Sequence, residues 1–146
     1  MYQVLVPMDD NEERSAAQEQ TLLRLAEEVD ELRVDILHVY EEIDVQADEA
    51  GSYYIDEINE NIKEFQGLPD TVEGVASSLE DAGANVQIHD VTGEPAVGIV
   101  EISEEYDVDA IVIGTRRRSP VGKVLFGSVA QSVILDSHKP VIVANV

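Results

Sequence analysis

Apolar positions along this chain recur with two periods that alternate from one end to the other. Val4-Leu5-Val6 is a short apolar run closed by Pro7, the pattern of a buried strand. Leu22, Leu25, Ala26 and Val29 return at spacings of three and four, which marks one face of a helix. Val34 to Tyr40 reads as a second strand. The stretch from Glu41 is acidic and loop-like through Ser52, after which Tyr54, Ile55, Ile58, Ile62 and Phe65 form a helical stripe broken by Gly67-Leu68-Pro69.

A further helix is predicted behind Asp70, placed as an N-cap with Glu73 three positions on in the manner of a capping box. Val72, Val75, Ala76 and Leu79 supply its apolar face, and Gly83 stands where a C-cap belongs. Val86 to His89 is the third strand. Pro95 then opens a helix with Ala96, Ile99 and Val100 inward. Ala110-Ile111-Val112-Ile113, ended by Gly114, has the continuous apolarity of a central strand buried on both faces. A short helix from about Ser128 to Asp136 and a last strand, Val141 to Ala144, complete the pattern. Strand and helix alternate throughout, so the expected class is α/β with a mostly parallel sheet covered by helices. Residues 1–146 form one domain with no internal repeat and no linker.

Charge changes the picture next. Thirty-one acids against nine Lys and Arg give a net charge of −22. A surface of that sign repels nucleic acid, so DNA and RNA are not expected partners. Its self-repulsion is screened in concentrated salt, where the Debye length is about 3 Å at 1 M, and we expect a halophilic host. There is no cysteine and no apolar run near the roughly 20 residues that span a bilayer. The start, Met1 to Pro7, reads as a strand and not as a signal peptide. A cytoplasmic protein that does not enter membranes is expected.

Against this background one segment stands out. In an open parallel sheet ligands bind beyond the carboxyl ends of the strands, where the strand order reverses. The turn after the fourth strand runs from Gly114 to Ser128 and carries Arg116, Arg117, Arg118 and Lys123, four of the nine basic residues within eight positions. Gly127-Ser128 then opens a helix, whose free N–H groups and dipole favour an anion. Phosphate recognition accounts for this concentration of positive charge better than pairing with surface acids, which contributes little.

At this loop the chain resembles the universal stress proteins, whose signature is glycine, two residues, glycine, nine residues, then glycine with serine or threonine. Gly114, Gly127 and Ser128 hold three of those places, and Arg117 replaces the second glycine. Val4 to Asp9, Leu37-His38-Val39, Asp109 to Gly114 and Lys139 to Val143 are similar to the family's strands, so the resemblance spans the chain. It implies an adenine-nucleotide-binding, Rossmann-like fold with strand order 3-2-1-4-5 and helices on both faces. It also implies ATP, with or without Mg2+, between strands one and four. Asp9, beside Pro7 and Met8, would accept hydrogen bonds from the adenosine part, and Val39 would contact adenine. Ile113 and Gly114 would let ribose and phosphates approach, while Gly127, Ser128 and Val129 would cradle the phosphates with Arg116 nearby. Arg117 would either reach the phosphates or fill the glycine's space. Ala130 stands where many nucleotide-binding members have a threonine, so a member acting only as a dimeric interaction module is the alternative. The resemblance further implies a homodimer through the last strand, Val141 to Val146, working in the stress response with a protein partner the sequence does not name.

Other signals carry less. Asp9, Asp10 and Asp90 would suit a phosphoryl-accepting receiver domain, but Lys139 precedes the last strand and so lies at the wrong end of the sheet. His38, His89 and His138 lack metal-pair spacing. Tyr53-Tyr54 fits a partner contact or packing over the sheet edge. Ser119 and Ser128 are exposed-serine candidates for phosphorylation. No residue is nominated as catalytic, and any ATP hydrolysis would be slow.

Overall fold

The computed structural model describes residues 1–41, 67–116, 121 and 125–146. The helical stripe expected from Tyr54 to Phe65, the Tyr53-Tyr54 pair, and Arg117, Arg118, Ser119 and Lys123 lie outside the described residues. The described elements alternate as β1 (Tyr2–Pro7), α1 (Glu12–Glu28), β2 (Leu32–Tyr40), α2 (Asp70–Asp81), β3 (Asn85–Thr92), α3 (Pro95–Glu105), β4 (Ala110–Gly114), α4 (Ser128–Asp136) and β5 (Val141–Ala144). All four strand pairings are parallel and the order is β3-β2-β1-β4-β5. This is the expected five-stranded α/β sheet.

Alternation along the central strands divides the core into two layers. Val4, Val6, Val34, Ile36 and Val112 face one way and pack with Leu22 of α1 and with Val72, Val75, Ala76 and Leu79 of α2. Leu5, Leu37, Ile111 and Ile113 face the other way and pack with Ile99 of α3 and Val133 of α4. Helices therefore cover both faces. On α3, Ile99 and Ala96 turn inward as expected, but Ile102 takes the inward place expected of Val100.

Strands run longer than the apolar runs that announced them. β3 extends over eight residues although most of its side chains are exposed or half-buried. Register with β2, continuous from Arg33↔Asn85 to Tyr40↔Thr92, holds it extended where its own pattern would not. The cap of α2 also differs from expectation. Pro69, with φ −59° and ψ 142°, takes the N-cap place and Asp70 is already helical, so its carboxylate makes no capping hydrogen bond. Asp70 and Glu73 act there as charges in the first turn. At the other end Gly83 sits one place beyond the C-cap at φ +94°. Its N–H donates to the Glu80 carbonyl at 2.9 Å, and the Ala84 N–H donates to Leu79 at 3.0 Å, the paired bonds of a Schellman motif. The left-handed backbone explains why glycine stands there.

The chain visits β1, β2 and β3 on one side and then crosses to β4 and β5, so its order reverses between β1 and β4. Pairing between those two strands stops at Val4↔Ala110 and Leu5↔Ile111. Beyond that point they separate, and a crevice opens at their carboxyl ends.

Candidate functional site

At the crevice a side chain from α1 ties the two strands together. The Gln18 amide is buried and donates to the Pro7 carbonyl at 2.7 Å and to the Val112 carbonyl at 3.1 Å. It bridges β1 and β4 where their own ladder has ended. The turn after β1 is pinned at each following carbonyl as well. His38 Nδ1 lies 2.9 Å from the Met8 oxygen, and the Thr71 hydroxyl donates to the Asp9 oxygen at 2.7 Å. Asn11 caps α1 by accepting from the Arg14 N–H at 2.9 Å, and its own N–H donates to Asp9 Oδ1 at 3.0 Å. The Asp9 side chain is fixed at the crevice mouth by local geometry.

Opposite it, Gly114 ends β4. Thr115 N–H donates to the Ala144 carbonyl at 3.1 Å, and the buried Thr115 hydroxyl accepts from the Val146 N–H at 3.1 Å. Arg116 and Leu125 pair antiparallel, with Arg116 N–H donating to the Leu125 carbonyl at 2.8 Å, so the two ends of the crossover loop are drawn together. Gly127 then N-caps α4 with extended dihedrals and no side-chain hydrogen bond. The first N–H groups of that helix have no intrahelical acceptors and face outward as donors.

These elements enclose a cleft of about 720 Å³. Pro7, Met8, Asp9, Val39, Ile113, Gly114, Arg116, Gly127, Ser128, Val129 and Ala130 all line it. Arg117, the remaining expected residue, lies outside the described residues. The cleft is mixed in character. Leu37, Val39, Pro95, Ile99 and Ile113 give it apolar surface, Arg14, Arg116, Gly127 and Ser128 give it two cations and N–H donors, and Asp9, Asp10 and Glu41 add three carboxylates. Tyr40 lies behind His38 in an edge-to-face contact of 4.7 Å. Burial, with the Asp90 charge added, pushes its hydroxyl up and keeps it neutral.

Arg14, Gln18 and Thr71 carry no signal of a site in the sequence, and His38 carries none of its turn-pinning role. Arg14 is the most consequential. Its stem lies on Gly114, where an added Cβ would come within 3.0 Å of Arg14 Cβ and Cγ. Its Nη2 reaches Asp9 Oδ2 at 2.5 Å. Close approach over Gly114 is thus made by an arginine of the chain itself, where ribose and phosphates had been expected. Arg116 repeats the arrangement at Gly127, its Nε 3.5 Å from the place of an added Cβ.

The other histidines lie elsewhere. His89 bonds Asp35 and stacks near Tyr106, and His138 bonds Glu104. Among the described residues no three His, Asp or Glu are grouped to hold a metal ion. Lys139 pairs with Asp107 ahead of β4, at the amino ends of the strands and away from Asp9 and Asp10. That placement removes the lysine a receiver site would need. No helix among the described residues is long and apolar enough to cross a membrane.

Comparison with known proteins gives a consistent picture. The family model for the universal stress protein family matches residues 1–145. A universal stress protein of Methanocaldococcus jannaschii is 30% identical over 123 residues, covering 77% of this chain and 76% of that one. Among solved structures, a universal stress protein from Archaeoglobus fulgidus superposes with a TM-score of 0.66 at 31% identity, covering 98% of each chain. Another from Archaeoglobus fulgidus, in complex with dAMP, has a TM-score of 0.65 at 25% identity, covering 98% of this chain and 97% of that one.

Proposed function

This chain belongs to the universal stress protein family, and from that premise we propose that it binds an adenine nucleotide, ATP, in the crevice between β1 and β4. The observation that carries the reading is that one cleft brings together apolar surface, two arginines and the start of α4. Leu37, Val39 and Ile99 offer an apolar surface suited to a flat base, and Gly127-Ser128 with Arg116 offers N–H groups and positive charge suited to phosphates. A volume of about 720 Å³ lies in the range of small-molecule sites. The similar Archaeoglobus protein that holds dAMP supports the same ligand class. Any Mg2+ would arrive with the phosphates, taking carboxylate oxygen from Asp9 or Asp10 at the cleft rim, since Mg2+ favours substrate phosphates and water over all-protein cages.

The reading extends to the assembly and setting. One domain over residues 1–146 would work as a homodimeric switch in the stress response, paired through β5 and the residues to Val146. β5 is the outer strand of the sheet, and edges of that kind are normally covered. The net charge of −22 suits a salt-rich cytoplasm. Titration calorimetry with Mg-ATP in molar potassium chloride tests the core of the proposal. Binding heat is expected, with adenine released when the purified protein is denatured, and Gly127→Val is expected to weaken binding by crowding Arg116 and the first turn of α4. No heat and no released adenine would overturn it.

A second reading, a dimeric interaction module that holds no nucleotide, is favoured by one observation. Arg14 and Arg116 already cover Gly114 and Gly127. The same titration separates the two.

A further inference from the structure

We infer that Arg14 is a specificity-determining residue of the cleft: it reads the phosphate chain and sets the preference for a nucleoside triphosphate over the bare nucleoside. The inference rests on the adenine-nucleotide reading and deepens it.

The first observation is a seat built for this side chain. Arg14 lies on Gly114, with Cβ and Cγ 3.0 Å and Cδ 3.2 Å from where a Cβ would be, so a side chain at 114 would press the arginine stem a few tenths of an ångström out of place. The second is its orientation. Asp9 Oδ2 accepts from Nη2 at 2.5 Å, and Asp9 and Arg14 both line the cleft. That one bond, the described hydrogen bond of the guanidinium, fixes its direction and leaves further N–H donors for an anion, since arginine carries five. The third is its company. The Arg116 guanidinium lies over Gly127 at the start of α4, so two cations and a helix N-terminus line one cleft in a chain that is otherwise strongly acidic.

Beyond these cations the surface turns acidic. A second hollow of about 590 Å³ begins at Arg14 and Arg116 and is lined by Asp10, Asn11, Glu12, Glu13 and Thr115. Asp10, Glu12 and Glu13 make that hollow acidic, so a phosphate chain would be held at the two arginines and not drawn beyond them. A merely structural Arg14 would tie Asp9 and affect all ligands alike. A residue that reads phosphate affects them in proportion to their charge.

The test is calorimetric titration of ATP, AMP and adenosine into the full chain and into Arg14→Met, Arg14→Lys and Gly114→Ala, all in 0.5 M potassium chloride. Methionine keeps an unbranched stem over Gly114 and removes the cation. The ratio of the adenosine Kd to the ATP Kd should fall about tenfold or more in Arg14→Met, with AMP affected less than ATP and lysine restoring part of the ratio. Gly114→Ala, which presses on the arginine stem while leaving the cation present, should lower the same ratio by a smaller factor and serves where the methionine variant does not fold. If wild type binds ATP and the ratio is unchanged in Arg14→Met, or ATP binds that variant more tightly, the role of Arg14 is overturned and nucleotide binding stands. If wild type binds none of the three ligands, the nucleotide reading falls and this inference with it.

Discussion

Asp9 and Asp35 each meet an arginine, and they live in opposite surroundings. Asp9 sits at the mouth of the cleft with its side chain about half exposed and pairs with Arg14, itself 30% exposed. Asp35, in the middle of β2, has no exposed side-chain surface. Its oxygens accept from Gln3 Nε2 at 2.7 Å, from Arg33 Nη2 at 3.3 Å and from Nε at 3.4 Å, and lie 2.8 Å from His89 Nε2. β1, β2 and β3 each contribute to that group. The Asp35 cluster ties three strands together, whereas the Asp9 pair orients a cation in a cavity. Both arginines are 30% exposed, so it is the burial of the carboxylate that sets the two pairs apart.

Removing the two carboxylates should separate these roles. Asp35→Ala leaves the half-buried Arg33 cation, the Gln3 amide and the half-buried His89 ring without their shared acceptor. Because Arg33 and His89 can partly rehydrate, the cost is about 3 kcal/mol, the low end for breaking a buried pair and still the largest single effect expected here. Urea denaturation followed by circular dichroism measures it. A loss below about 1 kcal/mol would show that the cluster is solvated and would break the contrast.

Gln18→Leu probes the boundary between the two regions, because Gln18 is buried like Asp35 yet shapes the cleft like Asp9. Its loss leaves the Pro7 and Val112 carbonyls without their donor. About 1–3 kcal/mol of stability should go, and ATP binding should weaken in the same variant. Stability loss with unchanged binding would place Gln18 with the architectural group alone.

These residues also show where reading the chain alone stops. Apolar runs at Val4 to Val6 and Ala110 to Ile113, with Pro7 and Gly114 as their ends, made the central strands and the place of the cleft legible, since a strand buried on both faces needs unbroken apolarity. Gly127-Ser128 was legible because a helix start has local chemistry. Gln18 bonding Val112, Thr71 bonding Asp9 and Arg14 lying on Gly114 were not. Each joins residues far apart in sequence, and only the register and the packing of α1 and α2 bring them together. Asp35 was hidden for a similar reason. Arg33 on the same strand is two positions away, but Gln3 and His89 become partners only once β1 and β3 flank β2. The capping box at Asp70 failed in the other direction: local chemistry allowed it, and Pro69 took the place.

Acid sharpens the comparison further. Burial raises the Asp35 carboxyl, but hydrogen bonds from Gln3, His89 and Arg33 and the Arg33 charge outweigh it and hold the group below its ordinary 3.8. A depressed native value means that the stabilising contribution is full above the unfolded value and is lost as pH falls below it towards the native one. Stability of the wild type should therefore decline below about pH 4 with a component from this group of up to about 1.4 kcal/mol per pH unit. Asp35→Asn should lack that component. Equal acid slopes in the two proteins would mean that other carboxylates carry the whole effect.

The smallest expected effect is the counterpart at Asp9. Asp9→Ala removes a partly exposed ion pair, worth at most about 1 kcal/mol, and leaves Arg14 free to turn into water. Salt then tells the two regions apart. At 2 M potassium chloride the screening length is shorter than the separation of exposed charges, so the Asp9→Ala loss should shrink towards zero. The Asp35→Ala loss should shrink less, because the Asp35 carboxylate is shielded from solvent although Arg33 and His89 stay partly exposed. Thermal melts of both variants at 0.1 M and 2 M salt read this directly. An Asp9→Ala loss that stays constant across salt would move this pair into the architectural class, and Arg14 would then be held for the sake of the fold and not for a ligand.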